Sequence, residues 1–308
     1  MDALRSMLFT PGHRLDLINK AIRSGADAVI IDLEDAVALE AKPQARALLA
    51  DLPASPAPLF VRTNGAQTAM LWDDVVAAGR AGVAGIVLPK AEDPGLLRQI
   101  DGALTALEMV SGTEPGHTTI IPLIESATGV RLAYDMAVAS RRIECVMFGG
   151  GEQGDLVADL GCEWTPDGTG LMHARSQVLL ASRAAGIPHP FEAVFMDFRN
   201  LDGLRVECEL ARRLGYVGKV ALHPAQVAVI NDVFTPAPEV VEQHRRVLAA
   251  FDEAVAAGSA SIAVEGRMVD YAVARVARGV IARAEAAERA RGRMASQQPA
   301  GSQEDAHG

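Results

Sequence analysis

Aromatic residues are scarce in this sequence and make up only 4% of its 308 residues. Apolar residues nevertheless amount to 49%, so the chain is able to bury a sizeable core built mainly from Ala, Val, Leu and Ile. A chain of this length forms one large domain or two medium ones, and barrel folds commonly reach this size as a single unit.

Positive charge is also in short supply, since the formal net charge is −10. Nucleic acids and anionic membranes require concentrated positive charge, so we expect neither as a partner. No apolar run approaches the roughly 20 residues of a membrane span, and the N-terminus lacks the pattern of a secretory signal. The three cysteines, an odd number without metal-type spacing, indicate buried thiols in a reducing compartment. We therefore expect a cytoplasmic protein.

Eight short apolar segments, each closed by turn-forming or polar residues, predict eight buried strands of a parallel sheet. They occupy residues 6–10, 26–33, 58–61, 85–88, 120–124, 145–148, 193–196 and 219–222. Helical patterns lie between nearly all of them. This alternation predicts an α/β fold of the (β/α)₈ TIM barrel type.

The chain continues beyond what such a barrel needs. After a predicted loop at 231–238 come a helix at 239–257, an extended piece at 261–264, a turn at 265–267 and a helix at 271–290. We predict a barrel over residues 1–235 and a helical extension over 236–290 that acts as a lid, a subunit clasp or both. The polar composition of residues 291–308 predicts a disordered tail.

Two carboxylates follow neighbouring predicted strands. Glu125 ends the fifth strand and Asp155 follows the sixth, and a predicted helix at 127–140 joins the two strands. The acids should therefore meet at the C-terminal rim of the barrel, where active sites of this fold lie. Two converging carboxylates need a cation or a proton between them, and a hard divalent ion such as Mg²⁺ suits them. The alternative is that each acid caps the helix that follows it.

Arg62 ends the third predicted strand, close to Glu34 and Asp35 at the end of the second. Its guanidinium is able to hold a substrate carboxylate or carbonyl oxygen through two hydrogen bonds. The alternative is an ion pair with Glu34 or Asp35. Those two acids are candidates for hydrogen bonds to metal-bound water or for orienting Arg62, and they equally fit helix caps.

Four further features carry weaker signals, and the first three lie at predicted strand ends. Lys90 raises the possibility of a Schiff base, but nearby acids would keep it charged, which favours a structural or phosphate contact. His223 is a candidate base, although scaffold hydrogen bonds are the more common role. The Gly149-Gly150-Gly151 run offers amides to an anion. Asp270 lies at a helix start and fits an ordinary N-cap.

Seven ordered motifs resemble the citrate lyase beta-subunit-like proteins of the HpcH/HpaI aldolase superfamily. They are RSMLFTPG at 5–12, DLEDAV at 32–37, VRTN at 61–64, LPK at 88–90, PLIES at 122–126, DLVADLG at 155–161 and GKVALHP at 218–224. The resemblance covers about residues 5 to 285. It implies a (β/α)₈ barrel and Mg²⁺-dependent making or breaking of a carbon–carbon bond in acyl-CoA thioesters such as citryl-CoA or malyl-CoA.

The resemblance also implies roles for particular residues. Glu125 and Asp155 would be the metal ligands, Arg62 would bind the oxo or carboxylate end of the substrate, and Glu125 would also contact substrate. GRMVD at 266–270 is similar to the family's C-terminal motif, whose acid acts in proton transfer and comes from a neighbouring subunit of a trimer. Asp270 thereby becomes a candidate acid or base, and the chain a predicted homo-oligomer.

Two departures from the family pattern bear on these roles. The loop before Asp155 reads Glu152-Gln153-Gly154, so Glu152 is able to compete with Asp155 for the metal, and Tyr271 follows Asp270 where relatives often carry a basic residue. Two other functions stay open: a CoA-independent aldolase that releases pyruvate from oxo-acids, and a subunit that binds acyl-CoA without turning it over.

Overall fold

The computed structural model describes residues 4–295, in which eight parallel strands close into one barrel in chain order. The strands are β1 (Ser6–Pro11), β2 (Ala28–Asp32), β3 (Leu59–Arg62), β4 (Gly85–Leu88), β5 (Thr119–Ile124), β6 (Cys145–Phe148), β7 (His189–Glu192) and β8 (Gly218–Ala221). Pairing of β1 with β8, in which Ser6 lies opposite Lys219, closes the ring. The predicted TIM barrel is confirmed.

Helices surround the barrel and connect its strands. They are α1 (Leu15–Ile22), α2 (Lys42–Leu48), α3 (Leu71–Ala81), α4 (Pro94–Ser111), α5 (Ala127–Arg131), α6 (Ala133–Ala137), α7 (Asp155–Leu160), α8 (Met172–Ala184), α9 (Leu201–Leu214) and α10 (Pro224–Phe234). Within residues 4–295, none of the helices is both long and apolar enough to cross a membrane.

The core has two layers because successive strand residues point to opposite faces. One set fills the barrel interior and includes Met7, Ile30, Phe60, Ile121 and Val220. The alternate set packs between the strands and the helices. It includes Leu8, Val29, Ile31, Val61, Ile86 and Val146, together with helix residues such as Ile18, Val75 and Leu104. Branched aliphatic side chains dominate both layers, as the composition predicts.

The seventh strand lies earlier than predicted. The apolar segment at 193–196 suggested it, but β7 is His189–Glu192. Phe191 faces the barrel interior, while Glu192 is fully buried on the helix side, where its carboxylate lies 3.1 Å from the guanidinium of Arg175. A buried acid satisfied by an ion pair breaks the apolar pattern on which the prediction depended. Asp197, which directly follows the segment at 193–196, is an exposed loop residue.

Two helix boundaries also differ from prediction. The predicted helix at 127–140 is split into α5 and α6 at Leu132, whose backbone leaves the helical region with φ −98° and ψ 10°. The predicted loop at 231–238 begins inside α10, which continues to Phe234. Asn231 suggested a loop, but its side chain bonds Ser6 and Gly25, so this polar residue ties the helix to the start of the barrel.

The C-terminal extension consists of two long helices and a hairpin. Helix α11 spans Pro238–Ala256, strands β9 (Ile262–Val264) and β10 (Arg267–Val269) pair antiparallel, and α12 spans Tyr271–Ala295. Positive φ angles at Glu265 and Gly266 fit the two-residue hairpin turn between the strands. The proposed domain boundaries stay predictions. The predicted tail starts within α12, and its remainder, 296–308, lies outside the described residues.

Candidate active site

Charged side chains gather at the C-terminal mouth of the barrel, as the strand ends predict. A cavity of about 160 Å³ is lined by Arg62, Glu125, Glu152 and Asp155 among others. A neighbouring cavity of about 580 Å³ shares Glu125 and Asp155 and adds Lys90. The two predicted metal-binding acids therefore face the same space although 30 positions separate them in the sequence.

Glu125 directly follows β5 and is held from two sides. Its Oε1 accepts a hydrogen bond of 2.8 Å from the backbone N–H of Lys90. Gly149, which follows β6, leaves room for it, because a Cβ at Gly149 would lie 2.6 Å from the Cβ of Glu125. Burial raises the pKa of Glu125 to about 7, against the opposing effects of the Lys90 hydrogen bond and the Arg62 charge. A cation bound next to Glu125 would stabilise the deprotonated, carboxylate form of this side chain.

The helix-cap alternative for Glu125 does not apply, because Ser126 caps α5 by accepting a hydrogen bond of 3.0 Å from Gly129. Asp155 is the first residue of α7, where a helix end favours negative charge. Its side chain is half exposed, and Oδ2 lies 3.2 Å from Nζ of Lys90. Its position is thus compatible with both interpretations, a favourable helix end and a ligand facing the cavity.

The donor set fits Mg²⁺. Proteins usually hold this ion through one or two carboxylates, leaving its other positions to water and substrate. Glu125 and Asp155 provide such a pair beside open space. Between residues 4 and 295, no group of three or more His, Cys, Asp or Glu side chains is arranged to enclose a metal. The arrangement therefore resembles an open magnesium site and differs from a closed structural one.

Arg62 is fixed by an acid that the sequence reasoning did not single out. Asp32 lies opposite Arg62 in the register of β2 and β3. Its carboxylate accepts hydrogen bonds of 2.7 Å from both Nε and Nη2 of Arg62. The guanidinium also lies 4.7 Å from the centre of the Phe9 ring. The signal available in the sequence was the position of both residues as the last of adjacent strands.

Glu34 and Asp35 both approach Arg62, as the ion-pair alternative predicted. Oε2 of Glu34 lies 3.3 Å from Nη1, and Oδ2 of the more exposed Asp35 lies 3.4 Å from Nη2. Burial is the main cause that raises the pKa of Glu34 to about 8. Three acids, Asp32, Glu34 and Asp35, therefore contact the guanidinium of Arg62. They fix its orientation and leave it on the cavity wall.

The loop that precedes α7 carries the Glu152 departure. Gln153 has a positive φ of 58°, and the N–H of Gly154 donates to the carbonyl of Gly151, so residues 151–154 form a tight turn. Glu152 lines the smaller cavity beside Asp155. Its competition with Asp155 for a metal stays a prediction.

Lys90 contacts both candidate metal ligands, through its backbone to Glu125 and through its ammonium to Asp155. Although burial opposes the charge, the hydrogen bond and charge of Asp155, with the charges of Glu34 and Glu125, raise the pKa of Lys90. A Schiff-base lysine needs the neutral amine. The surroundings of Lys90 therefore oppose imine chemistry.

Two other candidates serve as helix caps. Asp270 accepts hydrogen bonds from the N–H groups of Ala272 and Val273 at the start of α12 and lines neither cavity at the mouth. His223 caps α10 through Nδ1, which accepts from Ala225, and its ring stacks on Phe198. Within one chain, neither residue joins the Glu125 and Asp155 site.

Known proteins resemble this chain over most of its length. The family model described as HpcH/HpaI aldolase/citrate lyase matches residues 5–224. Citrate lyase subunit beta of Leuconostoc mesenteroides subsp. cremoris is 35% identical over 87% of this chain and 89% of its own. L-malyl-CoA/beta-methylmalyl-CoA lyase of Rhodobacter capsulatus is 33% identical over 92% of this chain and 95% of its own.

A solved structure extends the likeness to the fold. The CitE protein of Mycobacterium tuberculosis, in complex with magnesium, acetoacetate and coenzyme A, has a TM-score of 0.73 and 32% sequence identity. The alignment covers 92% of this chain and 98% of that one. These likenesses confirm the resemblance found in the sequence and the enzyme class, lyase. The chain belongs to the HpcH/HpaI aldolase/citrate lyase family.

Proposed function

We propose that this chain is a Mg²⁺-dependent carbon–carbon lyase that acts on a hydroxyacyl-CoA thioester of the citryl-CoA or malyl-CoA type. The observation that carries the proposal is the convergence of Glu125, Asp155 and Arg62 on one cavity at the barrel mouth. Relatives named citrate lyase subunit beta and malyl-CoA lyase, and a CitE structure with magnesium and coenzyme A, support it.

In this proposal Glu125 and Asp155 hold the metal, which supplies Lewis-acid polarisation of the substrate oxygens. Arg62 binds the oxo or carboxylate end of the substrate through the guanidinium face that its acidic partners leave on the cavity wall. Glu125 also touches substrate. Because Asp32 and Glu34 hold Arg62 in one orientation, its charge is positioned before substrate arrives.

Asp270 is proposed to exchange a proton with the acetyl-CoA part of the substrate in the site of a neighbouring subunit. Asp270 lines neither cavity at the mouth of its own chain, which is compatible with this arrangement. The hairpin and α12, between which it lies, form part of the extension that we propose as a subunit clasp. Symmetric oligomers commonly share residues across such interfaces. We propose a homotrimer on the family resemblance.

The experiment is to incubate the purified chain and Mg²⁺ with a panel of hydroxyacyl-CoA thioesters and, separately, with free oxo-acids. Cleavage of a thioester that stops on chelation of the metal is the expected result. Cleavage of the free oxo-acids alone would point to the CoA-independent aldolase, and binding without turnover to the non-catalytic subunit. Glu125→Ala should abolish turnover, whereas Glu114→Gln, at an exposed acid between α4 and β5, should not.

Subunit sharing has a separate test. Glu125→Ala and Asp270→Asn should each be inactive alone. Co-expressed in equal amounts, they should form mixed trimers in which about a quarter of the sites combine an intact Glu125 with an intact Asp270 from the next chain. Recovery of about that fraction of wild-type activity is expected. Mixed trimers without any recovered activity would contradict the shared site.

A further inference from the structure

Lys90 has an unusual backbone for its position at the mouth. Its φ is 48°, and the only other non-glycine residues with positive φ in residues 4–295 are Gln153 and Glu265. A side chain with a Cβ rarely adopts this region, and such strain persists where the surrounding structure imposes it. Here the conformation aims the backbone N–H of Lys90 at Glu125.

The ammonium of the same residue reaches the other acid. Nζ lies 3.2 Å from Oδ2 of Asp155, and the Lys90 side chain is one-third exposed. One residue therefore contacts both proposed metal ligands, one through its backbone and one through its charge. The side chain borders the larger cavity, which provides room for the ammonium to leave Asp155.

Lys90 is the cation at the mouth that contacts the two proposed metal ligands. Arg62, the other cation at the mouth, is engaged by Asp32, Glu34 and Asp35. The ammonium of Lys90 is consequently the positive charge in direct contact with the ligand pair. A divalent ion that binds Asp155 must approach this ammonium, and two cations at such distances repel each other.

Resting on the proposed function, we propose that Lys90 is a positioning residue that couples metal binding to the arrival of an anionic substrate. Its backbone N–H fixes Oε1 of Glu125, and its ammonium pairs with Asp155 until Mg²⁺ displaces it. An anionic oxo-acid or acyl-CoA then pairs with the displaced ammonium of Lys90. Metal alone binds weakly, and metal with substrate binds well.

The test measures metal binding directly, with Mn²⁺ as a paramagnetic probe and oxalate as a stand-in for the oxo-acid dianion. Lys90→Met removes the ammonium and keeps the backbone amide. It should bind Mn²⁺ about tenfold more tightly than the wild type without oxalate, and oxalate should strengthen its binding less. Lys20→Met, at an exposed lysine on α1, should match the wild type.

A second pair of variants isolates the backbone. The asparagine of Lys90→Asn tolerates a positive φ, whereas the β-branched valine of Lys90→Val does not. Both variants lack the ammonium and differ in the backbone. We expect Lys90→Val to bind Mn²⁺ about tenfold more weakly than Lys90→Asn, because the backbone amide moves away from Glu125. Circular dichroism and melting temperature establish that each variant is folded.

Unchanged or weaker Mn²⁺ binding by Lys90→Met, or an undiminished effect of oxalate, overturns the coupling. Equal binding by the Asn and Val variants overturns the backbone role. A wild type that binds no Mn²⁺ even when oxalate is present overturns both together. A wild type that binds Mn²⁺ as expected but cleaves no thioester leaves the role of Lys90 in metal binding standing while the proposed function fails.

Discussion

The ion pair between Asp32 and Arg62 gives the sharpest test of how the mouth of the barrel is held together. The Asp32 side chain is 2% exposed and that of Arg62 is 12% exposed. Both oxygens of Asp32 accept from Arg62 at 2.7 Å, and they also accept from the backbone N–H groups of Glu34 and Ala36 at 2.9 Å. One carboxylate thus satisfies four donors.

Asp32→Asn keeps the size of the side chain but replaces an oxygen by a donor that faces other donors. Removing one partner of a buried ion pair typically costs 3–5 kcal/mol, and the nearby Glu34 and Asp35 should lower the loss here to about 3 kcal/mol. Arg62 should also lose its fixed orientation, and displacement of such a group by about 1 Å lowers kcat/KM by roughly 10²-fold.

The chain contains a matched control. Arg14 and Asp16 form an ion pair with the same two-pronged geometry, at 2.9 and 2.8 Å, but each side chain is 52% exposed. Exposed pairs contribute little, so Asp16→Asn should leave the urea midpoint and the activity unchanged. Urea unfolding followed by circular dichroism compares the two variants. An Asp32→Asn protein as stable as Asp16→Asn would refute the reasoning from burial.

Three further outcomes follow from the structure. Gly149→Ala should lower kcat/KM with Mg²⁺ by roughly 10²-fold in a steady-state assay, because its Cβ would lie 2.6 Å from that of Glu125 and must displace this proposed metal ligand. Mg²⁺ binding should strengthen as pH rises through the Glu125 pKa of about 7, because only the deprotonated carboxylate binds metal; calorimetry in buffers of different ionisation enthalpy should detect about one proton released per ion below that pH. Lys219→Met should lower the free energy of unfolding in urea by about 3 kcal/mol. It removes the buried ion pair with Glu207 and leaves Arg175 as the remaining cation beside Glu192 and Glu207.

Local patterns in the sequence determined the barrel and the residues at its mouth. Short apolar runs closed by turn formers specify buried strands wherever they occur, and in a closed parallel barrel every strand end meets at one face. The sequence was therefore sufficient to predict a common rim for Arg62, Lys90, Glu125 and Asp155. It did not specify the distances between them. The misplaced strand, β7, ends at Glu192, an acid that is buried against Arg175.

The tertiary structure alone decided which of these side chains touch. Asp32 meets Arg62 through the register of two strands, and Lys90 reaches Glu125 through a left-handed backbone that no periodicity encodes. Asp270 likewise remains a helix cap within its own chain. Hydrophobic periodicity specifies the face on which a residue lies, whereas its partners depend on register, side-chain direction and the closing of the barrel, which are properties of distant segments brought together.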